Sequence, residues 1–339
     1  MIKKQVLANF LASSNFFRLI GILQSRSLVI FNYHRIYNPP LDTPFDKGVY
    51  EHSVEEFEIQ LKLISKHFDV ISEQDLIDSI TSNSFPSKRT ALITFDDGYV
   101  DNYTIARPLL KQYKLPAIYF IPTLPIENRK LGWWDLSSYL ISQSKKSNIN
   151  IGNQSFPITN AHEKASSIQA ALARFKLTPY EHTKDLIEGL SNSCEVALPS
   201  IEEQSAQWMS WEQIKSLPED NVAIGSHTHS HRVLATLDEQ TQFQELKESK
   251  EILEEKVGRT VQSFSYPVGG YDHFTSKTKE LVKKAGYKIG FSYNTGYNKQ
   301  AIDPFDIKRC TLSNNSAYMT GQMLLPSIYS RTVPQTRPH

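Results

Sequence analysis

Seven short strand-like stretches, most of them apolar almost throughout, punctuate this chain at 27–34, 90–95, 117–122, 222–227, 261–267, 287–293 and 306–312. Segments with helical periodicity lie between them. "SVEEFEIQLKLISKHF" (53–68) opens with Ser53 and Glu56 in capping-box spacing. "DNYTIARPLLKQY" (101–113) reads as a helix with Pro108 as a kink point, and further helices are expected over 238–257 and 275–285. In 238–257, Phe243, Leu246, Lys250, Leu253 and Val257 step by three and four, which gives one core-facing stripe. Strands that are apolar on both faces and alternate with helices predict an α/β fold with a parallel sheet covered on both sides. A closed barrel fits the count, and barrel enzymes gather their chemistry at the C-terminal ends of the strands.

One region breaks the alternation. Residues 124–209 carry "GWWD", polar stretches and helix-like segments such as "HEKASSIQAALARF", with few strand signals. The expected organisation is an amphipathic helix over 1–26, a barrel built from 27–123 and 210–313, a mostly helical insertion over 124–209, and a C-terminal helix and tail over 314–339. In the first segment Leu7, Phe10, Leu11, Phe17, Ile20 and Leu23 are roughly helix-spaced, but Asn9, Ser13, Ser14, Asn15 and Arg18 interrupt the apolar run. That pattern is too broken for a transmembrane helix. It leaves three expectations: a helix that closes one end of the domain, a contact with a membrane surface, or a cleaved signal. The corresponding location is the cytoplasm or the periphery of the inner membrane, with export left open. A formal net charge of +1 over 339 residues gives no reason to expect a nucleic-acid partner. Cys194 and Cys310 form no CxxC pair, so neither a disulfide framework nor a thiolate metal site is expected.

The reactive residue types collect at strand ends, in "NYHRI" (32–36), "TFDDGY" (94–99), "IGSHTHSH" (224–231) and "FSYPVGGYD" (264–272). Adjacent carboxylates at Asp96 and Asp97 repel each other and are costly to desolvate. A cation or a proton-transfer task makes the pair intelligible; the plainer reading is a turn, since Asp-Gly is a common turn dipeptide. Three of the ten histidines fall within five residues, which favours a metal site. His227 and His231 would share a face if the strand passes into a helical turn, whereas His227 and His229 would pair as alternate residues on a strand. Either pair with one carboxylate matches catalytic zinc, which keeps a position open.

"TFDDG", then H-T-x-x-H at 227–231, then F-x-Y-P-x-G at 264–269 resemble the polysaccharide deacetylases of carbohydrate esterase family 4, which share the NodB homology domain. The resemblance runs over about 28–312, less the insertion. It implies a distorted (β/α) barrel of about seven strands. It also implies Asp96 as catalytic base and Asp97, His227 and His231 as ligands of a divalent metal, most simply Zn2+, with His229 outside the ligand set. Two positions depart from the commoner family pattern. Ser265 stands where an arginine usually braces the base, and Arg309 in "DIKRC" is the expected substitute. The usual C-terminal histidine motif is missing, and His34 resembles the N-terminal general acid of exported poly-N-acetylglucosamine deacetylases. After His273 the only histidine is the terminal His339.

The implied activity is hydrolysis of an N-acetyl group on a sugar within a polysaccharide or lipid-linked glycan, a linear amide C–N bond. An acetamide needs its carbonyl polarised, its attacking water deprotonated and its departing amine protonated. The oxyanion needs a donor; Pro267 has no N–H, and the resemblance places the donor at the Val268 backbone. Tyr271 could stack on a sugar ring, as could Trp133 and Trp134, although packing in the core of the insertion is the favoured reading of the two tryptophans. The insertion is expected to shape substrate choice and to add little to the metal site. Two alternatives are an inactive metal-containing carbohydrate-binding domain and a related non-sugar amidase.

Overall fold

All seven predicted strands form, and all run parallel. The structure is a computed structural model that describes residues 27–84, 89–296, 298, 302–314, 319 and 321–323. The helix expected over 1–26, and nearly all of the segment expected over 314–339, lie outside the described residues. In chain order the strands are β1 (Ser27–Tyr33), β2 (Arg35–Tyr37), β3 (Tyr50–Ser53), β4 (Asp69–Val70), β5 (Arg89–Phe95), β6 (Ala117–Ile121), β7 (Asn148–Ile151), β8 (Gln154–Pro157), β9 (Val222–Ser226), β10 (Ser263–Ser265), β11 (Ile289–Thr295) and β12 (Ile307–Arg309). The main sheet runs β1-β5-β6-β9-β10-β11-β12, with β4 added beside β5. Cys310, just past β12, returns to β1: its N–H donates to Ile30 O (2.7 Å), and Asn32 N–H donates to Cys310 O (3.0 Å). The seven strands thus nearly close into a barrel.

Side-chain alternation divides the core. Leu28, Ile30, Leu92, Ile118, Phe120, Ile289, Phe291 and Ile307 form one buried cluster, the barrel interior. Val29, Phe31, Tyr33, Ile93 and Phe95, one residue out of step, pack outward against helices such as α1 (Val54–His67), which contributes Phe57, Leu61 and Ile64. Burying each such side chain stabilises the fold by roughly 1.5–3 kcal/mol. The capping box at Ser53 and Glu56 is present. The kink reading of Pro108 resolves into a π-helical turn over Asn102–Ala106 ahead of a short α-helix from Arg107, a local rewinding that suits a residue with no N–H to give the preceding turn.

The 124–209 region is helical apart from one element that the reading of its composition missed. Strands β7 and β8 pair antiparallel across a two-residue Gly152–Asn153 loop, with Gly152 at φ +61°. The burial of Ile149 and Ile151, with exposed residues between, is the period-two signal in "NINI". That hairpin packs with helices Trp133–Gln143, Ala161–Leu177 and Thr183–Cys194 around a separate small core that includes Leu140, Ile151, Phe175 and Leu190. Among the described residues, no helix is long and apolar enough to cross a membrane.

Candidate metal and catalytic site

Inward parity on β5 runs Leu92, Thr94, Asp96, so the chain itself aims Asp96 into the mouth of the barrel. Asp97 then takes φ +75° and Gly98 φ +76°, and these two left-handed residues turn the second carboxylate toward the loop after β9. That loop supplies His227 and His231 without passing into a helical turn. Thr228 sits at φ +65° and His231 at φ +57°, and the His231 N–H donates to Thr228 Oγ1 (3.0 Å). The short polar turn folds back on itself and brings imidazoles four residues apart onto one side. Nine non-glycine residues adopt left-handed φ among the described ones, and the helix-end positions Asn83, Lys114, Arg129, Glu195 and Asn221 are ordinary. Asp97, Thr228, His231 and Val268 are not, and all four belong to this site. Strain gathered in this way marks a place where geometry is held for a purpose.

Asp97 Oδ1 lies 3.4 Å from His227 Nε2 and 3.2 Å from His231 Nε2. The three side chains are buried, with one ligand atom each inside a 4.8 Å span. His227 Nδ1 donates to the Ser265 carbonyl (2.8 Å), which fixes the tautomer and leaves Nε2 for the cluster, as in metal sites whose histidines are oriented from behind. Asp97 Oδ1 is buried without a hydrogen-bond partner, an orphan that a cation would satisfy. Burial opposes ionisation of Asp97, yet His227 and His231 outweigh it and hold the carboxyl well below its usual range. Burial also keeps His231 below the usual histidine range, hence neutral and able to coordinate. These residues fit a divalent cation. His229 points away, with Nδ1 against Thr123 Oγ1 (2.8 Å) and Nε2 near Glu248 (3.5 Å). His231→Ala should therefore lose most bound metal and His229→Ala should keep it, as measured by elemental analysis of the purified variants. Equal losses would mean that the ligand set is misassigned.

Arg309, from β12, clamps Asp96. Nη1 donates to Oδ1 and Nη2 to Oδ2, both at 2.7 Å, while Nε donates to Ser292 O (3.0 Å) and Nη2 to Ser265 Oγ (2.9 Å). Ser265 thus holds the arginine from the position where the commoner pattern would place its own. Burial raises the Asp96 carboxyl, but Arg309, together with His227 and His34, outweighs it and holds the carboxyl below its usual range. His34, at the end of β1, puts Nε2 3.9 Å from Asp96 Oδ2 and Nδ1 3.5 Å from Glu51 Oε2. Burial disfavours its charged form, but Glu51, Asp97 and Asp96 overcome that and raise it to about 9.

These groups line a cavity of about 200 Å³. The residues between Pro267 and Gly269 make a tight turn: Gly269 N–H donates to Pro267 O (2.6 Å), with Val268 at φ +61° on the cavity wall. Past that turn, Tyr271 is directed to Phe274 (ring centroids 6.3 Å apart) and is not on the wall, so the sequence expectation of a stacking platform there does not match. Trp133 and Trp134 do line the cavity. Trp134 also packs on His231 (4.4 Å) and donates to Tyr99 Oη (2.6 Å), whose hydroxyl donates to buried Asp135 (2.8 Å). Through Trp134 the insertion thus packs against one of the candidate ligand residues, at a site to which it is expected to add little. Glu51, Tyr293 and Asp46 also face the cavity and were missed from sequence. Glu51 lies on the four-residue strand β3, too short to show a period.

A buried carboxylate and two imidazoles that could hold a divalent cation thus stand beside a second carboxylate clamped by arginine, at the C-terminal mouth of a (β/α) barrel. The polysaccharide deacetylase family profile matches residues 84–290, more than half the chain, and this chain belongs to that family. A similar protein is YxkH of Bacillus subtilis (strain 168), provisionally named a polysaccharide deacetylase, 25% identical over 242 residues. The match covers 71% of this chain and 58% of YxkH, so the chain spans less than two thirds of that relative. The fold is shared with the Streptococcus pyogenes deacetylase PplD in complex with acetate (TM-score 0.59, 18% identity, 89% of this chain and 99% of that one). It is shared equally with IcaB from Ammonifex degensii (TM-score 0.57, 19% identity, 89% and 98%).

Proposed function

We propose that this protein is a metal-dependent N-deacetylase that hydrolyses the acetamide of an N-acetylated sugar in a glycan. The observation that carries the reading is the pairing of two differently prepared carboxylates: Asp97 among imidazoles, and Asp96 held by both arms of Arg309 with His34 across from it. A module that only bound sugar would need the first and have no use for the second. A divalent cation held by Asp97, His227 and His231, with Zn2+ the ion that this donor set suits, would polarise the acetamide carbonyl and acidify water at the site.

The protein's own groups supply the proton traffic. Asp96, ionised through neutral pH, accepts the proton of the attacking water; the Arg309 clamp fixes its orientation at some expense in basicity. The Val268 backbone N–H, on the cavity wall, donates to the oxygen that becomes negative in the tetrahedral intermediate. His34, whose Nδ1 faces Glu51, delivers a proton from Nε2 to the nitrogen as the C–N bond breaks. Trp133 offers an aromatic face for a sugar ring at the same cavity. The test is acetate release by metal-replete protein from a panel of N-acetylated oligosaccharides, with N-formyl and cyclic-imide compounds as controls. Release from sugars alone supports the reading; turnover of the non-sugar amides alone would replace it.

A further inference from the structure

Beside the cavity that holds the carboxylates lies a second one of about 40 Å³. Trp133, Lys176 and His231 belong to the walls of both. Whatever occupies the second cavity is thus separated from the reacting centre by single side chains. The two differ in charge. The first is lined by Asp46, Glu51, Asp96 and Asp97, set against His34, Lys176 and Arg309. The second has Lys176 and Arg232 on its wall and, among the described residues, no carboxylate.

The state of those two cations matters. Lys176 is half-buried; burial draws its ammonium below the usual range, and Asp46 in the first cavity only partly restores it. A desolvated ammonium gains most from an anion brought to it. Arg232 Nε stands 3.6 Å from Glu245 Oε1, a carboxylate that also accepts from Ser230 N–H (2.8 Å) and Ser230 Oγ (2.5 Å). Thr178 and Thr236, also on the wall, give their hydroxyl hydrogens to Arg174 O (2.8 Å) and Val233 O (2.7 Å). Of the threonines on the wall, Thr183, 3.5 Å from Pro179 O, is the most weakly held, and the charge of Lys176 and Arg232 is the stronger influence on what this cavity attracts. A volume worth a few waters admits a carboxylate or phosphoryl head but not a sugar ring.

We propose that the second cavity is a subsite for an acidic group, carboxylate or phosphate, carried by the deacetylated sugar or its immediate neighbour, so that the substrate is an anionic N-acetylated glycan. The inference rests on the deacetylase reading above and names its substrate class. The two cations on the second wall would then fix the direction in which the glycan lies, acid toward Lys176 and Arg232 and acetamide toward Asp96.

The experiment compares three disaccharides of one N-acetylhexosamine: with a neutral neighbour, with a uronic acid neighbour, and with a phosphomonoester. With metal-loaded enzyme, kcat/KM for at least one acidic substrate should exceed that for the neutral one by about 10- to 100-fold. Lys176→Met and Arg232→Met should each shrink that ratio at least about fivefold, and Arg232→Lys should keep most of it. Which acidic arm responds tells carboxylate from phosphate. A ratio near one in the wild type, or one unchanged in both methionine variants, would overturn the subsite. If no disaccharide released acetate, the deacetylase reading would fall while calorimetric binding still judged the subsite: tighter binding of an acidic disaccharide, lost in Lys176→Met, supports it, and equal affinities for acidic and neutral overturn it.

Discussion

Asp96→Asn is expected to retain its metal and lose about two to four orders of magnitude in acetamide turnover, the range that general-base catalysis contributes. The substitution keeps the shape of the side chain and an oxygen for Arg309. It removes the ability to take a proton from water, since an amide is not a base at any working pH. One guanidinium nitrogen would also meet the new amide nitrogen, donor to donor, where two 2.7 Å bonds now run in parallel. That mismatch costs about 1–3 kcal/mol of stability, so the comparison needs melting temperature and metal content beside the rate. Turnover near that of the wild type in a folded, metal-loaded Asp96→Asn protein would remove Asp96 as the base.

His34→Gln should be nearly as damaging to an acetamide, again by about two to four orders of magnitude, and less damaging to an acetate ester. An amine must be protonated as it leaves, whereas an alkoxide needs less help. The pH profile offers an independent readout. His34 is raised to about 9, so in the folded protein it holds its proton through neutrality and loses it as pH climbs through that value. The rate should fall on the same basic limb, and a cation bound near Asp97 will draw the limb downward because like charges repel. His34→Gln should flatten it. Because the folded value lies above the unfolded value of about 6.5, the pairing with Glu51 also contributes stability that is complete below about 6.5 and is lost as pH rises through 9. A basic limb unchanged in His34→Gln would mean that another group titrates there.

The barrel was readable because its strands are long apolar runs whose period says little but whose alternation with capped helices says much. Ser53 with Glu56, and the stepping of Leu246, Leu253 and Val257, were sufficient to set helices between strands. Asp96, Asp97, His227 and His231 were readable because their chemistry is concentrated in two short motifs. What escaped had no local signature. The convergence of His227 and His231 depends on left-handed backbone at Thr228 and His231, which no propensity for threonine or histidine predicts. Glu51 reaches His34 from a four-residue strand, and Trp134 reaches His231 from the insertion; both are contacts between segments far apart in sequence. Arg309 lay between these cases. Its residue type and strand end suggested a partner for Asp96, but only the closing of β12 onto β1 puts the guanidinium against that carboxylate.

The central claim is that Asp97, His227 and His231 hold the ion on which deacetylation depends. Its most direct test is acetate release from an N-acetylated oligosaccharide by protein stripped with a chelator, dialysed and then titrated with Zn2+. The account predicts no measurable acetate from the stripped protein and activity restored in proportion to metal bound, saturating at one ion per chain, with no restoration in Asp97→Ala. Full activity in protein shown by elemental analysis to be metal-free would contradict it.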